Sequence, residues 1–212
     1  MIHRQIIRIR SILNDNEHAI LRADPSGYWL DRTNCKVDAE QFVLLMDQGR
    51  EKYVIGHPEQ AADALEKALR LWRDIKALRD VRDNHMLDEF ANYLEMRHLE
   101  ASELLVDSYL RSQRVHQALQ ELVRLTTRHP GREPFWARLM LAQALDGSFA
   151  DASMTFKRIR NILCREYGLD PSPFLCQVHE MILRCPSKVE LLSFLTPGYY
   201  RTTLCKSVAS PP

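Results

Sequence analysis

From Val37 onward apolar residues recur three and four positions apart, the period of an α-helix, with no convincing alternating stretch among them. Strands are therefore expected only before residue 33. The first helix of this region begins at about Asp38, with Asp38 as its N-cap, carries Phe42, Leu45 and Met46, and stops at Gly56-His57-Pro58. Pro58 suits the first turn of the helix that follows, PEQAADALEKALRLWRD. There Ala61, Leu65, Ala68, Leu69 and Trp72 share one face, and Glu59, Asp63, Glu66 and Lys67 fall largely outside it. A long helix over residues 86–111 comes next, then VHQALQELVRLTTRHP, ending at Pro130. FWARLMLAQALDG and FADASMTFKRIRNILCREYG each finish on the glycine expected just past a helix C-terminus. After Gly168 a proline-restricted turn leads to Ser172, the N-cap of a final helix. Beyond Leu195 periodicity is lost, and residues 196–212 read as a disordered tail.

Aligned by position, these helices contain a repeat: a small residue, a large apolar one four positions on, and another apolar one three further. The copies are Ala61-Leu65-Ala68, Ala118-Leu122-Leu125 and Ala152-Phe156-Ile159. The last two are offset by about 34 residues, the period of tetratricopeptide helix pairs. The longer gap between the first two fits a lengthened helix and a loop around residues 80–84. The pattern therefore predicts a mainly α fold, a degenerate TPR-like helical repeat of three helix pairs. Ala118 and Ala152 let neighbouring helices approach closely, and the Leu and Phe positions fill the space beside them.

The first thirteen residues form a separate unit. Ile2, Ile6, Ile9 and Leu13 make an apolar stripe at helical spacing, expected to be buried, while Arg4, Arg8 and Arg10 have no acidic neighbour. An arginine on such a helix can fork to guanine in the major groove or hold a phosphate, and Gln5 can pair with adenine. The same residues also describe a solvated amphipathic helix whose arginines touch nothing.

Composition sets the bounds. Over 212 residues, 45% hydrophobic and 27% charged content is that of a globular chain. A net charge of +1 gives no global attraction to nucleic acid, so any DNA-binding face must be local. No apolar run reaches the roughly 20 residues that span a bilayer, and MIHRQIIRIR lacks the apolar core of a signal peptide. A cytoplasmic protein is expected. Cys35, Cys164, Cys176, Cys185 and Cys205 are odd in number and never spaced Cys-x-x-Cys, so reduced thiols are expected. Cys176, His179 and Cys185 match no common zinc spacing, and no metal or cofactor is expected. There is no glycine-rich phosphate loop, no HExxH and no nucleophile elbow; His179-Glu180 begins like a zincin motif and stops. Catalysis is not expected.

Over about residues 37–183 the chain resembles the bacterial transcriptional activator domain of the Streptomyces antibiotic regulatory proteins. The resemblance is carried by Val37-Asp38 with Phe42, Leu71-Trp72-Arg73, His129-Pro130 with Arg132-Glu133, Leu139-Met140-Leu141-Ala142 and Gly168-Leu169-Asp170-Pro171-Ser172-Pro173. Residues 1–31 are similar to the last third of the family's OmpR-type winged helix. Arg8-Ile9-Arg10 matches the Arg-Leu-Arg of its recognition helix, Leu13 closes that helix, and Gly27-Tyr28 matches the wing. The resemblance implies DNA contact through Arg4, Gln5, Arg8, Arg10 and Arg22, with Arg8 reading a base and Arg10 anchoring a phosphate. Asp24 departs from it, standing where the family's wing commonly carries an arginine, with Arg22 close by.

The implied organisation is a partial winged helix over residues 1–33, a recognition helix and β-hairpin wing, followed by the activator domain over 37–195. No residues before Met1 supply the sheet and first helices of a whole winged helix, so the segment is expected to fray, pack on the repeat or borrow a partner. The implied partners are promoter DNA and, through the repeat, RNA polymerase or another protomer, with a homodimer as one form. The alternative is a protein-interaction module that has lost autonomous DNA binding and holds a partner on its stacked helices.

Overall fold

The computed structural model describes residues 2–31, 33, 36–73, 76–81 and 85–195. The expected disordered tail at 196–212, Cys35, Cys205 and residues 82–84 of the expected loop lie outside the described residues. The chain opens with α1 (Ile2–Leu13), followed by an antiparallel hairpin of β1 (Leu21–Asp24) and β2 (Gly27–Leu30), in which Leu21 faces Leu30 and Asp24 faces Gly27. Among the described residues eight α-helices follow: α2 (Asp38–Val54), α3 (Pro58–Arg70), α4 (His85–Arg111), α5 (Val115–Arg128), α6 (Glu133–Leu145), α7 (Phe149–Ile162), α8 (Pro173–Leu183) and α9 (Lys188–Ser193).

From α2 to α8 each helix packs on the next in sequence, and α8 and α9 also pack back on α6. That nearest-neighbour order is the expected helical repeat. The small-large-apolar positions sit at the contacts: Ala61, Leu65, Ala68, Ala118, Leu122, Ala152 and Ile159 have no exposed surface. Phe156 is half-buried, its ring stacked 3.9 Å from that of His179. α2 and α3 approach closely at Gly49 of α2, where an added Cβ would lie 2.6 Å from Leu65 Cγ and 3.3 Å from the Ala61 carbonyl. Gly49→Ala should therefore destabilise by about 1–3 kcal/mol through overpacking, read as a lower thermal midpoint with an unchanged helical spectrum.

Buried polar contacts join helices that are not neighbours in sequence. Arg138 of α6 forks onto Asp107 of α4, Nε to Oδ1 at 2.8 Å and Nη2 to Oδ2 at 2.9 Å. Glu103, one turn earlier on α4, accepts from Arg132 at 2.8 Å and pairs with Arg138 at 3.4 Å. Tyr53, at the end of α2, donates its hydroxyl to the Leu195 carbonyl at 2.7 Å. Arg111, in the last turn of α4, reaches the same carbonyl at 3.4 Å and lies over the Tyr53 ring.

Several expectations need correction. Asp38 is the first helical residue and Val37 holds the N-cap position; the Asp38 carboxylate accepts from Ala39 N–H inside the first turn, where negative charge suits the helix dipole. α3 ends at Arg70, so Leu71 and Trp72 belong to the following turn. α7 runs on through a π-helical turn (Leu163–Tyr167) and stops at Gly168, whose φ of 67° places it in the left-handed region. Ser172 does cap α8, accepting from Leu175 N–H at 3.3 Å, but α8 is not the final helix. α9 follows, closed by a capping box between Ser187 and Glu190. Among the described residues no helix is long and apolar enough to cross a membrane.

The largest departure is in α1. Only Ile6 of its apolar stripe is buried; Ile2 is 69% exposed and Ile9 and Leu13 are each 41% exposed. A twelve-residue helix beside two four-residue strands leaves too little surface to enclose a core of its own.

Candidate nucleic-acid interface

Helix α1 is held to the hairpin at both of its ends. Asp15, just past the helix, accepts from Leu21 N–H at 2.7 Å and Ile20 N–H at 3.0 Å. Burial alone would raise the Asp15 carboxyl, but the Leu21, Ile20 and Ala19 N–H groups and nearby Arg10 together hold it below its ordinary value. Arg10, in the last turn of α1, donates Nε and Nη2 to the Leu21 carbonyl at 3.2 and 2.7 Å. At the other end of α1, His3 Nδ1 meets the Tyr28 hydroxyl at 3.3 Å.

This geometry divides the five residues expected to meet DNA. Arg4, Gln5 and Arg8 are exposed, and none has a protein partner among the described residues. Arg4 and Arg8 lie one helical turn apart, Gln5 sits three residues from Arg8, and both arginines face away from buried Ile6. Arg10 is half-buried and donates Nε and Nη2 to the Leu21 carbonyl, so it ties the helix to the hairpin, and its Nη1 has no protein partner among the described residues. Arg22 projects from β1 and pairs with Asp31 at 2.5 Å while its side chain stays 51% exposed. Asp24, at the site of the family's wing arginine, builds the turn: it accepts from Ser26 N–H at 2.7 Å, the Ser26 hydroxyl, and Gly27 N–H at 3.1 Å. The Ser26 donors hold the Asp24 carboxyl below its usual range, so it stays charged in the hairpin turn.

Sequence reasoning missed His3, Asp15 and Tyr28 as the residues that fix helix to hairpin. Asp15 was the one with a visible signal, a carboxylate directly after a helix end and a few residues before a strand. Among the described residues no three His, Cys, Asp or Glu side chains gather as metal ligands. Cys176 is half-buried, Cys185 is exposed, and His179 stacks on Phe156.

An array of paired helices preceded by a basic helix and a two-stranded hairpin is a helical-repeat module attached to a small helix-and-hairpin unit. Residues 37–183 match the bacterial transcriptional activator domain, and the chain belongs to that family. Its relatives include the transcriptional regulatory protein EmbR of Mycobacterium tuberculosis, 32% identical over 186 residues that make up 86% of this chain and 48% of EmbR. The regulatory protein DnrI of Streptomyces peucetius is 32% identical over 171 residues, 81% of this chain and 62% of DnrI. Among solved structures, Mycobacterium tuberculosis EmbR in complex with a low-affinity phosphopeptide superposes with a TM-score of 0.76 at 29% identity, over 97% of this chain and 55% of that one. The chain thus spans about half the length of EmbR. The family and these relatives are transcriptional regulators and not enzymes. The residues that mark the family serve the array: Glu133, opening α6, accepts from Ser172 N–H at 2.9 Å and from its hydroxyl, pinning the turn over 168–173.

Proposed function

We propose that this chain is a cytoplasmic DNA-binding transcriptional regulator of the antibiotic-regulatory-protein type. Residues 1–33 act as the recognition helix and wing of an OmpR-type winged helix, and residues 37–195 act as the activator domain. The observation that carries the reading is the unpaired trio of Arg4, Gln5 and Arg8 on one exposed face of a helix fastened to a hairpin. The structural likeness to EmbR supports it by extending over 97% of the chain, well beyond residues 37–183. Arg8 and Gln5 read base edges of promoter DNA, Arg4 holds a phosphate, Arg10 fixes the helix against the wing, and Arg22 lies at the rim. The repeat contacts RNA polymerase or a second protomer.

The test is fluorescence anisotropy of the chain on duplex DNA across a salt series. Arg4→Ala should weaken binding to all sequences alike and flatten the salt slope by about one unit. Arg8→Ala should cost about 1–3 kcal/mol and relax sequence preference. Arg22→Ala should change little, and Arg10→Ala should lower affinity together with the melting temperature. A second reading is favoured by the bareness of α1, since Ile2 and Ile12 are 69% and 70% exposed. In that reading a partner covers the apolar stripe before DNA can be held. A folded chain that binds no DNA at low salt overturns autonomous binding and leaves the interaction module.

A further inference from the structure

A hollow of about 690 Å³ opens between the end of α3, the middle of α4 and the end of α5. Its floor is apolar, made by Leu69, Trp72, Leu99 and Leu125, and the His98 ring sits 4.4 Å from that of Trp72. A second hollow of about 500 Å³, floored by Phe42, Leu71 and Leu94, adjoins it and shares Trp72, Arg73 and Lys76. The two meet at Trp72, Arg73 and Lys76 and make one trough with room for a chain segment.

The rim is charged unevenly. Arg73, Lys76 and Arg128 line the larger hollow, are exposed, and have no protein partner among the described residues. Of the acids, Glu95 accepts from Ala77 N–H at 3.2 Å, Glu121 pairs with Arg124 at 3.7 Å and Asp38 accepts from Ala39 N–H at 2.8 Å, while Asp80 lines only the smaller hollow. Burial holds the His98 pKa down to about 4, with His129 and Arg128 adding to it, and burial with Arg132 and Arg128 lowers that of His129. Both rings are neutral at pH 7 and can exchange hydrogen bonds with a guest without adding charge.

We infer that this trough is the docking site for an acidic protein segment, with an aromatic or large aliphatic side chain seated beside Trp72 and its carboxylates on Arg73, Lys76 and Arg128. The inference rests on the reading of the repeat as the protein-contacting half of the chain, and it names the chemistry of the contact. Apolar floor and cationic rim are complementary to a segment that alternates acidic and bulky apolar residues.

The test is titration of the full chain with a fluorescein-labelled Glu-Asp-Phe-Glu-Asp-Leu-Glu-Asp peptide, beside its counterpart with Gln and Asn in place of Glu and Asp. The acidic peptide should bind saturably and more weakly as salt rises, and the neutral one at least tenfold less well. Lys76→Glu with Arg128→Glu should reduce the acidic peptide's affinity at least tenfold while the melting temperature stays put, since both side chains are exposed and unpaired. Heteronuclear NMR should place the largest shifts at His98, His129 and the Trp72 indole. Equal binding of both peptides, absence of saturable binding, or charge reversal without effect overturns the inference. The same double variant titrated with duplex DNA keeps the two readings apart, because the trough residues lie outside α1 and DNA affinity should be retained.

Discussion

Arg138→Met is expected to destabilise the protein by about 3–5 kcal/mol, the range for removing one partner of a buried ion pair. Arg138 is 3% exposed and Asp107 is 5% exposed, so the methionine leaves a carboxylate inside the array with no guanidinium to fork onto it. Burial already pushes the Asp107 carboxyl above the ordinary range against the pull of Arg138, and without that pull the group must take up a proton or draw in water. Glu103 would lose one of its two arginines in the same step. The thermal midpoint should fall by roughly 6–20 °C. The double variant Asp107→Leu, Arg138→Met should recover much of the loss, because an apolar pair strands no charge. A single variant within 1 °C of the parent would show that the pair is dispensable.

The second large effect is loss of stability in mild acid, centred on His98. Its pKa in the fold is about 4, against an ordinary 6.5. The unfolded chain therefore binds the proton more readily than the folded one between those values, so stability is complete above pH 6.5 and is lost as pH falls toward 4. A depression of that size amounts to about 3 kcal/mol in full, with about 2 kcal/mol already gone at pH 5. His129, lowered by burial and by Arg132 and Arg128, acts in the same direction. Between pH 7 and 5 the thermal midpoint should drop by roughly 4–8 °C. His98→Gln keeps a neutral polar side chain beside Trp72 and should flatten that dependence; an equally steep fall in the variant would assign it elsewhere.

How much of this was legible beforehand follows from how local each feature is. Ala61-Leu65-Ala68 and its two counterparts announced the array because the same small and apolar positions recur at the same spacing within each helix, and each is a helix contact. Gly168 and Ser172 announced the turn after α7, since helix ends are written in a few adjacent residues. The capping box of Ser187 and Glu190 was written there too, but a six-residue helix has no periodicity to draw attention to it. In α1 the stripe gave the apolar face correctly and could not say whether anything covers it. Arg10 and Arg22 looked like Arg4 and Arg8 in sequence; what separates them is the Leu21 carbonyl and the Asp31 carboxylate, whose nearness exists only once the hairpin has its register. The trough beside Trp72 has no local signature, being assembled from four helices and the segment after α3.

The clasp of Tyr53 and Arg111 on the Leu195 carbonyl changes the mechanical character of the array. Stacked-helix proteins with free ends behave as soft springs, fraying from either terminus and stretching along the stack. Here Leu195, two residues past α9, is fastened to α2 and α4, so pulling on one end of the stack loads the other. The array acts less as a spring than as a closed buckle, able to carry a displacement made at its first helix pair to its last without coming undone.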